Sequence, residues 1–208
     1  MSKYAILLGG PITPTPRLSH QIAAARVIAA DSGMAHADVL NLVPELWVGD
    51  FDSTSKELAE KWHNVPRQAH PIEKDASDGE LAISEALRRG ATSLILVGGM
   101  GGQLDHVLAH LGFLVTLADR GVDVMMTSGT EEAYGLAGEL RLQAQREERL
   151  SIMPFTNLIG LSITGVKYPL TNANVKLGTA QTLANVSMGD VQITLTVGKA
   201  VVVYYPHV

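Results

Sequence analysis

The sequence contains no cysteine in its 208 residues, which excludes disulfides, thiolate zinc sites and cysteine nucleophiles. It also lacks any apolar run near the ~20 residues that a membrane helix needs, so no membrane partner is expected. The opening stretch MSKYAILLGGP carries one lysine and a short apolar run that enters glycine directly, a poor match to a secretory signal. There is no basic excess: 16 Lys and Arg stand against 21 Asp and Glu, a formal net charge of -5. That balance argues against a nucleic-acid or anionic-membrane surface, which would need a basic patch. What is present is 46% hydrophobic residues. This is too many for a largely disordered chain and enough for one large domain or two small ones. A cytoplasmic protein is the expectation.

Charge is spread unevenly. Beyond Leu150 only Lys167, Lys176, Asp190 and Lys199 are charged, which indicates two units with no proline- or glycine-rich linker between them. In the first, short apolar runs at Tyr4–Leu8, Arg26–Ala30, Leu46–Val48, Leu94–Val97 and Val122–Met126 alternate with helical patterns. The helical patterns are clearest at Ser77–Arg89 and Leu104–Arg120, and on the first of them Leu81, Ile83, Ala86 and Leu87 are expected to face a core while Glu85, Arg88 and Arg89 face water. Alternating strands and helices predict an α/β, Rossmann-like domain with a mostly parallel sheet. The second unit reads as antiparallel β, a small sandwich. LSIMPF, GLSITGVKYPL and AQTLANVS are expected strands, and VQITLTVGKAVVVYY is expected to turn as a hairpin at Gly198-Lys199. The division expected is residues 1–129 for the α/β domain and 130–208 for the β-sandwich.

The aspartates carry most of the information. Asp31 ends RVIAAD, Asp50 ends LWVGD with Asp52 two residues on, Asp75 and Asp78 flank a helix start, and Asp105 follows GGMGGQL. Ligands of an open parallel sheet bind beyond the carboxyl ends of its strands, so four loops would deliver six carboxylates to one edge. Each has a structural alternative: Asp78 fits a helix-capping role and Asp52 an Asx turn. As a set, like charges that converge need a cation. Magnesium suits hard carboxylate oxygens while leaving positions open for phosphate. Without those six aspartates the rest of the chain is close to neutral.

VGGMGGQLDH places Gly98, Gly99, Gly101 and Gly102 between a strand and a helix. Such a loop lets backbone approach a phosphate at a helix N-terminus. It is neither a Walker A loop nor a dinucleotide fingerprint, and a tight strand-to-helix turn would use the same residues. Gly9-Gly10 is a weaker case of the same kind. His106 could donate to phosphate or act in acid–base chemistry, whereas His110, one turn later, fits packing equally well. His36 and His70 are not distinguished from loop histidines, and Trp47 and Trp62 read as core residues. Together the loops point to magnesium-dependent handling of a nucleotide or phosphate ester.

AADSGMAHA, WVGDFDS, KDASDGELAISEAL and GGMGGQLDHVLAHL, in that order, followed by SIMPF, GVKYPLTN, GTAQTLAN and VGKAVVVY, resemble the thiamine pyrophosphokinase (thiamine diphosphokinase) family over nearly the whole chain. The resemblance implies an α/β catalytic domain, a β-sandwich that binds thiamine and makes a homodimer with the active site at the subunit interface, and transfer of pyrophosphate from ATP to thiamine's hydroxyethyl oxygen, giving thiamine diphosphate and AMP. It implies Asp50, Asp52, Asp75 and Asp78 as magnesium ligands and catalytic residues, with Asp105 beside them. It implies Asp31, Gly99, Gly101, Gly102, Gln103 and His106 as ATP contacts, and Tyr168, Thr182 and Asn185 as thiamine contacts. Asp78 or Asp105 would accept the hydroxyl proton.

Four positions depart from the family pattern. Gln103 stands where the family usually has Arg, which removes a cation near the phosphates; His110 stands for Asn, Ser77 for Thr, and Ala184 for the Ser of a Ser-Asn pair. Two other readings compete. Asp50-Phe51-Asp52-Ser53-Thr54 fits the D-x-D-x-T of haloacid-dehalogenase-like phosphatases, although there the motif follows the first strand rather than the third. A non-catalytic thiamine or nucleotide sensor is favoured to some degree by Gln103 and Ala184.

Overall fold

The computed structural model describes residues 2–52, 54–70 and 76–208. It divides into two compact units, one of Met1–Val107 with Met126–Gly129, the other of Leu108–Met125 with Thr130–Val208.

In the first unit, strands β1 (Lys3–Leu7), β2 (Arg26–Ala30), β3 (Leu46–Gly49), β4 (Arg67–Ala69) and β5 (Ser93–Val97) lie in the order β5-β1-β2-β3-β4. Among the described residues, every pairing between them is parallel. Four of these strands are buried along almost their whole length; Tyr4, Ile6, Ile28, Trp47, Leu94 and Leu96 are fully enclosed. Burial on both faces explains why the sequence shows unbroken apolar runs here and no alternation. β4 is short, polar and unforeseen, as expected of an edge that cannot carry an apolar run. Between the strands lie helices α1 (Pro16–Ile22), α2 (Ala35–Val39), α3 (Lys56–Lys61) and α4 (Asp78–Arg88). α1 begins with proline at its first position and Thr15 as its cap, with Leu18 N donating to Thr15 Oγ1 at 3.1 Å. α4 is capped by Ser77, whose Oγ accepts from Glu80 N at 3.2 Å.

One expectation for α4 fails. Glu85, assigned to solvent, is 6% exposed, while Leu81 and Leu87 are only half-buried. Its carboxylate takes two hydrogen bonds from Arg88, both at 2.7 Å, and one from Arg89 at 2.7 Å. Arg89 also bonds Glu45 at 2.8 Å, and Glu45 bonds Arg26. A buried carboxylate is tolerated when it is paired and fully hydrogen-bonded, so helical period alone misassigned it. Helix α5 (Leu104–Asp119) and strand β6 (Asp123–Thr127) each contribute residues to both units.

The second unit is antiparallel. β7 (Glu132–Leu136), β8 (Glu139–Leu142), β9 (Arg146–Pro154), β10 (Leu158–Val166), β11 (Leu170–Val175), β12 (Asn185–Thr194) and β13 (Ala200–Tyr205) enclose one apolar core. Leu142, Leu150, Ile163, Val175, Ile193 and Val202 are among its members, drawn from six strands. The expected hairpin at Gly198-Lys199 does not form. β13 pairs with β7 and β9, while β12 pairs with β8, β9 and β10. β9 therefore lies between the two strands that the sequence joins, because each finds its hydrogen-bond partner there instead of across the short connection. The stretch Ala180–Ala184, read as strand, is turn, and β12 begins at Asn185. The loss of charge after Leu150 falls inside β9 and marks no structural boundary. Trp62, read as core, is half-buried. Among the described residues, no helix is long and apolar enough to cross a membrane.

Candidate functional site

Because β1, β2, β3 and β5 are parallel, the turns that follow them share one edge of the sheet. These turns hold Gly9-Gly10, Asp31-Ser32-Gly33, Asp50-Phe51-Asp52 and Gly98–Gly102. They are packed backbone to backbone. A Cβ on Gly33 would lie 2.1 Å from Leu7 O, and one on Gly10 would lie 2.3 Å from Gly98 O. Gly98 itself sits at φ +81°, in the left-handed region. His36 Nε2 donates to Gly10 O at 2.8 Å and pins the first turn. The tight-turn reading therefore accounts for Gly98, which is buried. Gly101 and Gly102 lie farther out, and a Cβ on Gly102 would meet nothing within 4 Å.

The Asp50–Asp52 turn is strained at its centre. Phe51 has φ +62°, unusual for a bulky side chain. Its ring packs edge-on against Trp47, with centroids 5.1 Å apart at 88°. The Arg67 guanidinium lies 4.8 Å from the Trp47 ring and 5.4 Å from that of Phe51. Trp47 is fully buried and also donates from Nε1 to Asp31 O at 2.9 Å. One indole thus ties the Asp31 turn to the Asp50 turn, and the Cβ position of Gly49 lies 3.3 Å from Asp31 Cα. Asp52 N donates to Asp50 Oδ1 at 3.2 Å, so the Asx turn read onto Asp52 is instead built on Asp50, two residues earlier. Sequence reasoning missed Phe51 and Arg67, and gave Trp47 only a packing role. An aromatic set between two acids on a strand end was the available signal.

The remaining acids stand on helix starts. Asp78 is the first residue of α4, half-buried. Asp105 is the second of α5 and exposed, with its Oδ1 accepting from His106 N at 2.9 Å. Gln103 and His106 are exposed beside it. Asp75 lies outside the described residues. Among the described residues, no three His, Asp or Glu side chains group closely enough to form a ready metal cage.

Tyr168, Thr182 and Asn185 all line a single cleft in the second unit, with Leu150, Ile152 and Ile163 forming part of its wall. Its empty space is about 500 Å³, the open mouth included. Asn185 is occupied by backbone: its Nδ2 donates to Tyr168 O at 2.8 Å, and its Oδ1 accepts from Tyr168 N at 3.1 Å and Val186 N at 2.9 Å. Thr182 is buried, and its Oγ1 donates to Ile152 O at 2.6 Å. Ala184, at φ +54°, donates from N to Ser151 Oγ at 3.0 Å. Tyr168 is 59% exposed, with Lys167 Nζ 5.4 Å from its ring centroid.

Residues 19–126 match the family described as thiamin pyrophosphokinase, catalytic domain, and residues 139–202 match the thiamin pyrophosphokinase vitamin B1 binding domain. The chain belongs to the thiamin pyrophosphokinase family. A curated relative, the thiamine pyrophosphokinase of Bacillus subtilis (strain 168), is 26% identical over 191 residues, which is 89% of each chain. Two solved structures show the same fold. The thiamine pyrophosphokinase from Bacillus subtilis superposes with a TM-score of 0.88 at 21% identity, covering all of both chains. That from Geobacillus thermodenitrificans does so with 0.85 at 24% identity, over 99% of this chain and 98% of the other. Like them, this thiamin pyrophosphokinase family member combines a mixed, helix-bearing N-terminal region with a β-rich C-terminal part. The matches favour neither the haloacid-dehalogenase-like reading nor the sensor reading.

Proposed function

We propose that this chain transfers the pyrophosphoryl group of ATP to the hydroxyethyl oxygen of thiamine, giving thiamine diphosphate and AMP, with Mg²⁺ as cofactor. The observation that carries this reading is the pair of family matches, catalytic on the N-terminal part and vitamin B1-binding on the C-terminal part. The proposal keeps residues 1–129 as a Rossmann-like catalytic domain and 130–208 as a thiamine-binding and dimerisation sandwich. It also keeps a cytoplasmic homodimer with the active site at the subunit interface.

The donor chemistry fits magnesium. Asp50 and Asp52 present hard carboxylate oxygens from one turn whose shape is fixed by Phe51 and Trp47. A nucleotide-bound Mg²⁺ needs only one or two protein carboxylates, because phosphate and water fill the other positions. Asp50 and Asp52 would hold it, with Asp75 and Asp78 as the second acidic pair. When bound, the ion supplies neutralisation of phosphate charge as AMP departs. The protein's own part is positioning. Asp31, Gly99, Gly101, Gly102, Gln103 and His106 bind ATP. The Tyr168 ring covers one face of thiamine, Thr182 and Asn185 shape the cleft around it, and Asp78 or Asp105 accepts the proton from the attacking hydroxyl oxygen.

The test is AMP release from Mg²⁺–ATP with and without thiamine. Thiamine-dependent AMP together with thiamine diphosphate is the expected result. Phosphate release from a phosphoester without ATP would support the phosphatase, and tight thiamine binding without turnover would support the sensor.

A further inference from the structure

The cleft of the second unit is walled mainly by hydrocarbon, and its polar side chains are Tyr168, Gln181, Thr182 and Asn185. Thr182 and Asn185 spend theirs on backbone, as described above. Gln181 does not. Its backbone N donates to Thr179 Oγ1 at 3.2 Å, while its side-chain amide has no hydrogen-bond partner among the described residues.

The backbone that carries this amide is fixed on both sides. Ile152 N donates to Thr182 O at 2.9 Å, the Thr182 hydroxyl returns a bond to Ile152 O, Leu183 N donates to Ala180 O at 3.1 Å, and Ala184 N is held by Ser151. A glutamine on a mobile loop would lose conformational freedom on meeting a ligand. Here the backbone share of that loss is already taken in folding.

We propose that Gln181 sets the specificity for the acceptor by pairing edge-on with its aminopyrimidine ring; this rests on the cleft's role as the thiamine site. A carboxamide presents one acceptor oxygen and an NH₂ donor in a plane. A 4-aminopyrimidine presents the complement on one edge, an exocyclic amino donor beside a ring-nitrogen acceptor. The two form parallel hydrogen bonds, as glutamine or asparagine does with the adenine edge. The Tyr168 ring supplies a face for the heterocycle, and Leu170 and Leu183 offer it no competing polar group. Gln181 is exposed, so an acceptor without the amino group leaves the amide oxygen to water and loses one of the two bonds, a modest discrimination.

The test compares thiamine with its analogue lacking the 4-amino group, measured by steady-state AMP release in the unaltered chain, Q181L and Q181A. Q181L is expected to raise KM for thiamine about tenfold, with a much smaller change in kcat, as the loss of roughly two exposed hydrogen bonds implies. Q181A should do the same, which separates the lost amide from the bulk of leucine. With the desamino analogue, the unaltered chain should already show part of the rise in KM, and each variant should raise it further by less than it does for thiamine, because only the bond to the ring nitrogen is left to lose. The proposal is overturned if KM for thiamine stays unmoved in both variants, or if both acceptors weaken equally. Absence of thiamine-dependent AMP from the unaltered chain would overturn the proposed function and this proposal together. AMP release with an unmoved KM in the variants overturns only the role of Gln181.

Discussion

In the first unit the polar side chains of interest, Asp50, Asp52, Asp78 and Asp105, stand half-buried or exposed on turns and helix starts after parallel strands. In the second, Ser151 and Thr182 are buried, Asn185 is half-buried, and all three hydrogen-bond to backbone. The two units also differ in how they keep a carboxylate inside. Glu85 is held by two guanidinium groups. Glu148, 2% exposed, accepts from the Tyr204 hydroxyl and from the backbone N of Gln145 and His207 at 2.7 Å each. The difference follows from topology. Parallel strands end in a row of turns where charge can meet solvent and ligand, whereas antiparallel strands spend their polar side chains on shaping the ladder's irregular ends. Charge in the first unit is available for chemistry, while polarity in the second builds shape.

The largest effect should come from the acid turn. Asp50→Asn keeps an oxygen to accept from Asp52 N, so the turn survives while its charge is lost. Thiamine-dependent AMP release should fall by about 10³-fold, the scale of losing one strong electrostatic contact to the transition state, with the melting temperature little changed. Near-normal turnover would sink the claim that this unit's charge serves chemistry. Gly33→Ala probes the same edge from the structural side. Its new Cβ would meet Leu7 O at 2.1 Å and Leu7 C at 2.6 Å, both backbone atoms that no rotamer change can move. A loss of about 3 kcal/mol in urea unfolding is expected. An unchanged midpoint would mean that the turns are looser than described.

Much of this was legible in the sequence. The parallel strands announce themselves as apolar runs because both faces are buried, and the acids and glycines fall, as expected, in the turns at their carboxyl ends. The second unit was less legible. Its strand pairing depends on β9 inserting between β12 and β13, a long-range choice that no local turn signal encodes. The position of Asn185 could be matched by resemblance, but its clasp on Tyr168 needed coordinates. Glu85 was misread because its two arginine partners appear, by helical period, to share a solvent face with it. Asn185→Ala tests the shape-building side of the comparison. It should raise KM for thiamine several-fold and cost about 1 kcal/mol of stability, the scale of a lost hydrogen bond. Asn185→Asp, which keeps the acceptor and loses the donor to Tyr168 O, should fall between. Equal loss in both variants would show that the amide contacts ligand rather than the Tyr168 backbone.

The smallest effect separates the two buried glutamates. The Arg88 guanidinium, joined by that of Arg89, holds the Glu85 carboxyl well below its ordinary 4.5, at about 2, against the opposing push of burial. A carboxylate depressed in the folded state stabilises the fold fully above its unfolded pKa, and that contribution is lost as pH falls from about 4.5 toward 2. The melting-temperature gap between the unaltered chain and Glu85→Gln should therefore be widest near neutral pH and narrow below pH 4.5. For Glu148, burial pushes the carboxyl up, but the Tyr204 hydroxyl and the backbone N–H groups of His207 and Gln145 outweigh it and hold it low. Both gaps should close in acid, yet only one should respond strongly to salt. Arg88 is 72% exposed at its side chain, so added salt screens the charge that holds Glu85. The donors around Glu148 are mainly neutral, and Glu148→Gln should show a gap that salt barely moves. Equal salt sensitivity would mean that the two units do not differ in how they keep a carboxylate inside.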